Sequence, residues 1–463
     1  MQNEKNASLF LEQQQYILLL KEKLHEIYGD NPLAMISTYG CQQNVSDSEK
    51  IRGMLKEMGF GFTGSADAAD FIIFNTCAVR EHAEDRVFGN LGALKNQKRR
   101  KPSLTIAMCG CMAQQAHVAQ RVKDSFPFVN ILFGTQVIHR MPELMYRYFT
   151  EKKRVFDIGE NSDIVEGVPL ERDGGVKGWL PVMYGCNNFC SYCVVPYVRG
   201  RERSRSVEHI LEDAKRLIDD GCRDITLLGQ NVNSYNYNGT DFPKLLRLVN
   251  ELDGDFRIRF MTSHPKDCSD ELLYAMRDCD KVCRHLHLPF QSGSNEILRR
   301  MNRKYTKEHY LELVDKAKRI VPGITLTSDI IVGFPGETYE DFRQTLDVVK
   351  SVRFLSLYTF IFSKRKGTPA EKMDDPVPKE EKGRWFAELL RLQIQIAAED
   401  EKNIAEKEFR VLCEDAGRRE GYMAGHTDTN ICLEFEGGRD LLGKFIDVKT
   451  YLKNGEIIAK IKE

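Results

Sequence analysis

Short apolar runs alternate with amphipathic stretches from Leu33 to about Val155. The runs Leu33–Ser37, Phe71–Phe74, Leu104–Met108 and Asn130–Phe133 have the length and composition of buried strands, whereas Ser46–Met58 and Gln114–Lys123 space their apolar residues as helices do. Such alternation predicts a parallel sheet covered by helices. A second series begins at Trp179, with candidate strands Trp179–Tyr184, Ile225–Gly229, Arg257–Met261, His285–Pro289, Thr325–Val332 and Leu355–Phe362. Helical patterns such as Val207–Asp219, Phe242–Leu252, Glu296–Met301 and Lys307–Ile320 lie between them. Six βα units are too few for an eight-stranded closed barrel and suit an open one. Beyond the long charged helix expected over Pro378–Lys407, short strands at Phe409–Cys413, Gly421–His426, Asn430–Phe435, Phe445–Leu452 and Ile457–Ile461 predict a small β-barrel.

The expected fold class is therefore α/β, with an N-terminal parallel-sheet domain, a central open (β/α)6 barrel and a small C-terminal β-barrel. The expected boundaries are a leader helix over 1–32, the sheet domain over 33–155, a Gly-, Asp- and Pro-rich linker over 156–177, the open barrel over 178–400 and the small barrel over 401–463. The leader, polar apart from Tyr16–Leu20, reads as a solvated helix with neither a signal core nor a membrane span.

Composition narrows the chemistry. The 463 residues carry a net charge of −1, which provides no global attraction to nucleic acid, so any RNA contact must be local. Thirteen cysteines in this setting read as thiols of a reducing, cytoplasmic protein that bind metal or stay buried. Three of them form C-x3-C-x2-C at Cys186, Cys190 and Cys193. Three thiolates can hold three corners of a 4Fe–4S cube and leave the fourth iron open to a small molecule. A zinc knuckle would need a fourth ligand and favours paired C-x2-C, and no second pair follows. In the first domain Thr38-Tyr39-Gly40-Cys41, Asn75-Thr76-Cys77 and Cys109-Gly110-Cys111 each place cysteine at a strand end, the rim on which open α/β sheets build their sites. Spacing alone leaves Cys109 and Cys111 as alternatives, and leaves open that all of these are inert core thiols.

Basic residues gather in three places. Lys95–Lys101 reads as a solvated loop or a phosphate-contacting one, and Lys364-Arg365-Lys366 as a shorter patch. Arg199, Arg201, Arg203 and Arg205 have period two; in an extended segment they would lay four guanidiniums on one face, suited to phosphate or to a salt-bridged surface.

The run Tyr184-Gly185-Cys186-Asn187-Asn188-Phe189-Cys190-Ser191-Tyr192-Cys193 and its continuation to Arg205 resemble the methylthiotransferases of the radical S-adenosylmethionine (SAM) superfamily. Gly-Cys-Gln at 40–42, Asn-Thr-Cys at 75–77 and Gly-Cys-Met-Ala-Gln at 110–114 resemble that family's N-terminal domain, whose motif places the ligand after the glycine, hence Cys111. Gly421–Thr427 and Gly443–Val448 resemble the TRAM module that binds RNA, although residues 401–463 hold eleven Lys/Arg against thirteen Asp/Glu, an acidic balance for such a module. The resemblance implies two 4Fe–4S clusters, one on Cys186, Cys190 and Cys193 that binds SAM and an auxiliary one on Cys41, Cys77 and Cys111 that carries sulfur. It implies SAM contacts at the strand ends, among Gly229, Gln230, Asn231, Gln291, Ser292, Ser328, Gly333 and Phe362; Arg199, Arg201, Arg203 and Arg205 directly follow the cluster loop and are expected, on that placement, to face the active site or the RNA substrate. The implied reaction inserts a methylthio group at C2 of N6-isopentenyladenosine 37 in a tRNA anticodon stem-loop, with SAM as radical source and methyl donor. A reductant and an iron–sulfur or sulfur delivery system would be partners. Threonylcarbamoyladenosine at the same position, or a non-catalytic RNA-binding protein with a structural metal, are the competing readings.

Overall fold

A computed structural model describes residues 2–462 apart from 79–80, 161–162, 173 and 454–455. The chain divides into two compact units. One comprises Met1–Asp173, Tyr184–Asn187 and Cys193–Arg205; the other comprises Gly174–Met183, Asn188–Tyr192 and Ser206–Glu463.

The first unit is built on a parallel sheet. In chain order it contains α1 (Gln2–Tyr28), β1 (Leu33–Thr38), α2 (Gln42–Glu57), β2 (Gly61–Phe62), β3 (Phe71–Thr76), α3 (Glu81–Arg100), β4 (Thr105–Gly110), α4 (Ala116–Ser125), β5 (Ile131–Phe133), α5 (Met141–Glu151) and β6 (Val155–Asp157). The sheet order is β2-β1-β3-β4-β5-β6. β3 and β4 are buried throughout, which is why their sequences read as unbroken apolar runs rather than alternating ones. Two apolar layers flank the sheet, one under α2 and α5 and one under α3 and α4.

Three expectations need correction here. The leader is not a solvated helix: Ile17, Leu20 and Leu24 of α1 are buried in the same core as Met141, Leu144 and Met145 of α5. Their spacing is helical, and the polar residues between them hid the stripe. The basic run at 95–101 is mostly the last turn of α3, where cations meet the negative end of the helix dipole. Lys101 there pairs with Asp70 at 2.6 Å, and Arg100 with Asp67 at 3.3 Å. The segment expected as a linker lies along α2. Glu171 N–H donates to the Glu49 carbonyl at 3.0 Å, and a Cβ on Gly53 would sit 2.3 Å from the Pro169 carbonyl oxygen.

The arginine series is not extended either. Pro196, whose fixed φ suits a first helical turn, opens the short helix α6 (Val195–Arg199), and Gly200 at φ +78° ends it. Arg199 and Arg205 then face inward to Asp47 and Glu166, at 2.8 and 2.5 Å, rather than sharing an open face.

The second unit holds an open βα barrel and a small closed barrel. Its strands are β7 (Lys177–Pro181), β8 (Asp224–Leu228), β9 (Arg257–Phe260), β10 (His285–His287), β11 (Thr325–Val332) and β12 (Ser356–Ile361), paired in parallel as β9-β8-β7 and β10-β11-β12. A parallel bridge between Ile258 and Val282 lies where the two sheets adjoin. The intervening helices are α7 (Val207–Asp219), α8 (Phe242–Asn250), α9 (Asp270–Asp278), α10 (Asn295–Arg300), α11 (Lys307–Ile320) and α12 (Tyr339–Val352). Each begins on a polar cap, from Ser206, Asp241, Ser269, Ser294, Thr306 and Thr338 in turn, whose side chain accepts a backbone N–H of the first turn. The long helix α13 (Lys379–Glu401) packs its Trp385, Leu389 and Ile396 into the same core.

The closed barrel runs β13 (Glu408–Ala416), β14 (Tyr422–His426), β15 (Cys432–Glu436), β16 (Phe445–Lys453) and β17 (Glu456–Ile461), in the order β13-β14-β15-β17-β16. Arg257 and Arg259 of β9 donate to the His426 and Thr427 carbonyls at 2.8 and 2.7 Å, so the two barrels share hydrogen bonds. Among the described residues no helix is long and apolar enough to cross a membrane.

Candidate active site

Parallel register delivers the first group of thiols. Thr38 of β1 lies opposite Asn75 of β3, and Asn75 opposite Cys109 of β4, so the three strands end almost level. Neighbouring strands are about 4.8 Å apart, so the turns that follow emerge side by side. Cys41, Cys77 and Cys111 lie on those turns. Two glycines make the approach possible. A Cβ on Gly40, at φ +116°, would sit 2.5 Å from Cys77 Cβ and 2.9 Å from its sulfur; one on Gly110, at φ +95°, would sit 2.4 Å from the Thr76 carbonyl oxygen. Cys41 is the N-cap residue of α2.

An amide and guanidinium frame encloses this rim. Asn75 donates to the Asn44 carbonyl at 2.8 Å, and Asn44 donates to the Thr76 carbonyl at 3.0 Å. Asn44 Oδ1 in turn lies 3.5 Å from Cys41 Sγ. Arg199 Nε donates to Cys111 Sγ at 3.2 Å while its terminal nitrogen reaches Asp47. Burial pushes the free Cys111 thiol up to about 12, with the Arg199 guanidinium acting in the opposite direction. Cys109 lies fully buried in the apolar cluster that holds Ala107 and Ile131, whereas Cys111 packs with Ala78, Val194 and Val198.

The second group lies on the loop after Tyr184. Its Asn188–Tyr192 portion is anchored on the end of α10. Ser191 N–H donates to the Met301 carbonyl at 2.9 Å, and its hydroxyl to the Arg300 carbonyl at 2.8 Å. Asn302, itself at φ +58°, donates to the Phe189 and Asn188 carbonyls at 2.9 and 3.3 Å. Arg303 approaches Cys190 Sγ at 3.5 Å and is held by the Pro289 carbonyl at 2.8 Å and the Tyr305 hydroxyl at 2.9 Å. Cys186 N–H, at the other end of the loop, donates to the Gly200 carbonyl at 3.1 Å.

Both groups are soft thiol sets of three. Among the described residues no three His, Cys, Asp or Glu side chains close on one point as ligands of a single ion would. A cube-shaped cluster asks for something different, one thiolate at each of three separate corners, and cysteine is the donor chemistry it takes.

Residues 34–134 match the model of uncharacterized protein family UPF0004, and residues 180–349 that of the radical SAM superfamily. A tRNA-2-methylthio-N(6)-dimethylallyladenosine synthase of Caldicellulosiruptor saccharolyticus is 52% identical over 444 residues, 94% of this chain and 94% of that one. A protein of the same name from Acetivibrio thermocellus is 51% identical over 93% of this chain and 92% of its own. The chain belongs to the tRNA-2-methylthio-N(6)-dimethylallyladenosine synthase family. Its fold is also similar to that of the radical SAM methyltransferase TsrM from Kitasatospora setae, with a TM-score of 0.56 at 15% identity over 74% of this chain and 75% of that one.

The strand ends expected to contact SAM in this family form the rim of the open barrel. A Cβ on Gly229, after β8, would sit 2.6 Å from Met183 Cγ, so glycine there also serves packing. Asn231 is buried and donates to Asp267 at 2.8 Å. Gln230 follows Gly229 on the same turn. Gln291 adopts φ +67° and pairs with β11 through Asp329 and Ile331; Thr262 adopts φ +65° at the end of β9. Left-handed backbone is costly for both residues, most of all for a β-branched one, and it gathers here at the rim. Ser292 is buried beside Gln291, and its hydroxyl accepts the Ser294 N–H at 3.3 Å. Ser328 is fully buried between Leu288 and Phe290, whose N–H it accepts at 2.9 Å. Gly333, at φ +72°, packs on Lys382, and Phe362 meets Phe334 edge-on at 5.2 Å.

Sequence reasoning missed Asn44, Asp47, Asn302 and Arg303. The first two are polar residues at buried positions of an amphipathic helix, a legible signal; the last two sit in a turn that carries no pattern.

Proposed function

We propose that this chain is a tRNA methylthiotransferase acting at C2 of N6-isopentenyladenosine 37. The observation that carries the proposal is identity above one half, along nearly the whole of both chains, to relatives named for that product. Cys186, Cys190 and Cys193 would hold the SAM-binding 4Fe–4S cluster, and Cys41, Cys77 and Cys111 the auxiliary one. When bound, these groups supply one-electron cleavage of SAM to a carbon radical able to take hydrogen from an unactivated C2, together with a sulfur to place there.

The protein's own part is to hold and shield. Asn302 and Ser191 keep the cysteine loop in place, and Arg303 presents a positive charge to Cys190. Gly229, Gln230, Asn231, Gln291, Ser292, Ser328, Gly333 and Phe362 line the strand ends at which SAM would be seated. A base in a single-stranded anticodon loop can be splayed into such a site with little unpairing cost. The TRAM-like barrel, acidic overall, contributes shape and local contacts more than bulk charge.

The test is anaerobic reconstitution followed by mass spectrometry of tRNA nucleosides. The expected protein is brown with about eight irons, as two cubanes require, and converts isopentenyladenosine to its 2-methylthio form. Conversion of threonylcarbamoyladenosine instead would reassign the substrate, and a colourless zinc protein would end the radical reading.

A further inference from the structure

The spacing of Arg199 suits either phosphate contact or a salt-bridged surface, and the structure gives the residue other work. Its side chain is 5% exposed, and Nε and one terminal nitrogen are engaged within the first unit. Nε points at Cys111 Sγ at 3.2 Å; the terminal nitrogen is shared between Asp47 Oδ2 at 2.8 Å and Asn44 Oδ1 at 3.4 Å. Val194 and Val198 of the same short segment pack against Cys111 and Ala78, the residue after Cys77. Val198 also accepts a hydrogen bond from the Thr135 hydroxyl. The segment starts at Cys193, so one short stretch of chain carries a thiol of the SAM-cluster loop at one end and a guanidinium against the auxiliary thiol at the other.

We infer that Arg199 is a positioning residue of the auxiliary centre: it fixes the Cys111 sulfur and sets the potential of a cluster bound there, and it does not bind substrate. This rests on Cys41, Cys77 and Cys111 being that centre's ligands. The physics has a definite sign. A positive charge and an N–H donor at a cluster sulfur favour the more negative, reduced state and raise the potential. Asp47 anchors the guanidinium and opposes it electrostatically. A buried pair of this kind is costly unless it is hydrogen-bonded, and Cys111, Asp47 and Asn44 engage Nε and one terminal nitrogen.

The inference is tested on the full chain carrying Cys186→Ala, Cys190→Ala and Cys193→Ala, so that a single cluster remains to be read. Iron content and an electron paramagnetic resonance redox titration are compared for this background alone and with Arg199→Gln, Arg199→Lys or Asp47→Asn added. The expected result is a midpoint shifted down by Arg199→Gln, up by Asp47→Asn, and less by Arg199→Lys, which keeps the charge but not the planar fork. If Arg199→Gln loses its iron altogether, the opposed shifts of the other two variants still decide the matter. Unchanged midpoints, or shifts of one sign in Arg199→Lys and Asp47→Asn alike, would reduce Arg199 to a structural ion pair and overturn the inference. Absence of about four irons from the background protein itself would instead overturn the assignment of the three cysteines.

Discussion

Gly40→Ala is the sharpest probe of how the auxiliary site is assembled. The added methyl would sit 2.5 Å from Cys77 Cβ and 2.9 Å from Cys77 Sγ, at a residue whose φ is +116°. Carbon atoms in contact stay about 3.5–4.0 Å apart, so the Cys77 side chain would have to retreat by roughly 1 Å. Metal–ligand distances tolerate only about 0.2 Å, so the corner of the cluster at Cys77 is lost before the fold is. Holding alanine in this backbone region costs on the order of 1–3 kcal/mol, which for a domain of this size lowers Tm by about 2–10 °C. Gly64→Ala is the control, because a Cβ at Gly64 meets nothing within 4 Å and its φ lies outside the left-handed region. Both variants are made in the background lacking Cys186, Cys190 and Cys193, and iron, sulfide and thermal melts are measured. Gly64→Ala should retain about four irons and the parent Tm, and Gly40→Ala should lose the iron while remaining folded at room temperature. A Gly40→Ala protein with full iron and an unchanged melt would show that Cys77 does not need the closeness Gly40 allows.

Other outcomes follow from single contacts. Burial pushes the Glu337 carboxyl up to about 8, against the Gly333 and Phe334 N–H groups that it accepts. It therefore holds its proton when folded between about pH 4.5 and 8, and stability should fall as pH rises through that window; Glu337→Gln should flatten that part of a Tm-against-pH curve. Asn302→Gly keeps the left-handed backbone but removes both side-chain bonds to the cysteine loop. At about 1 kcal/mol for each lost bond, the Cys186–Cys193 cluster should release iron to a chelator several-fold faster in a Cys41→Ala, Cys77→Ala, Cys111→Ala background. Glu414 is held down to about 2, against the effect of its own burial, by His426 and Lys177, so its contribution is present above its ordinary value and lost in acid. Glu414→Gln should therefore lower the melting point at pH 7 and much less at pH 3. The Arg410–Asp255 pair is largely exposed, and Asp255→Asn should change stability by less than about 1 kcal/mol in chemical denaturation.

The βα alternation, the glycine–cysteine pairs and the small barrel were legible in the sequence because each is a local pattern. Strand periodicity, cap residues and the spacing of Cys186, Cys190 and Cys193 survive in one dimension. What Arg199 touches was not legible, because a period-two series marks a face only if the backbone is extended, and Pro196 and Gly200 make it helical and then turn it. The choice between Cys109 and Cys111 was equally undecidable from spacing, since they flank one glycine at the end of the same strand; the structure buries Cys109 in the cluster of Ala107 and Ile131 and places Cys111 beside a guanidinium. The leader helix illustrates the same limit, because its thin apolar stripe has meaning only once α5 provides a surface for it. Sequence alone determined the order of strands and helices and which cysteines follow the strands. Only the tertiary structure decided which charged side chains face those thiols, because that depends on parallel register and on close approaches between segments far apart in the chain.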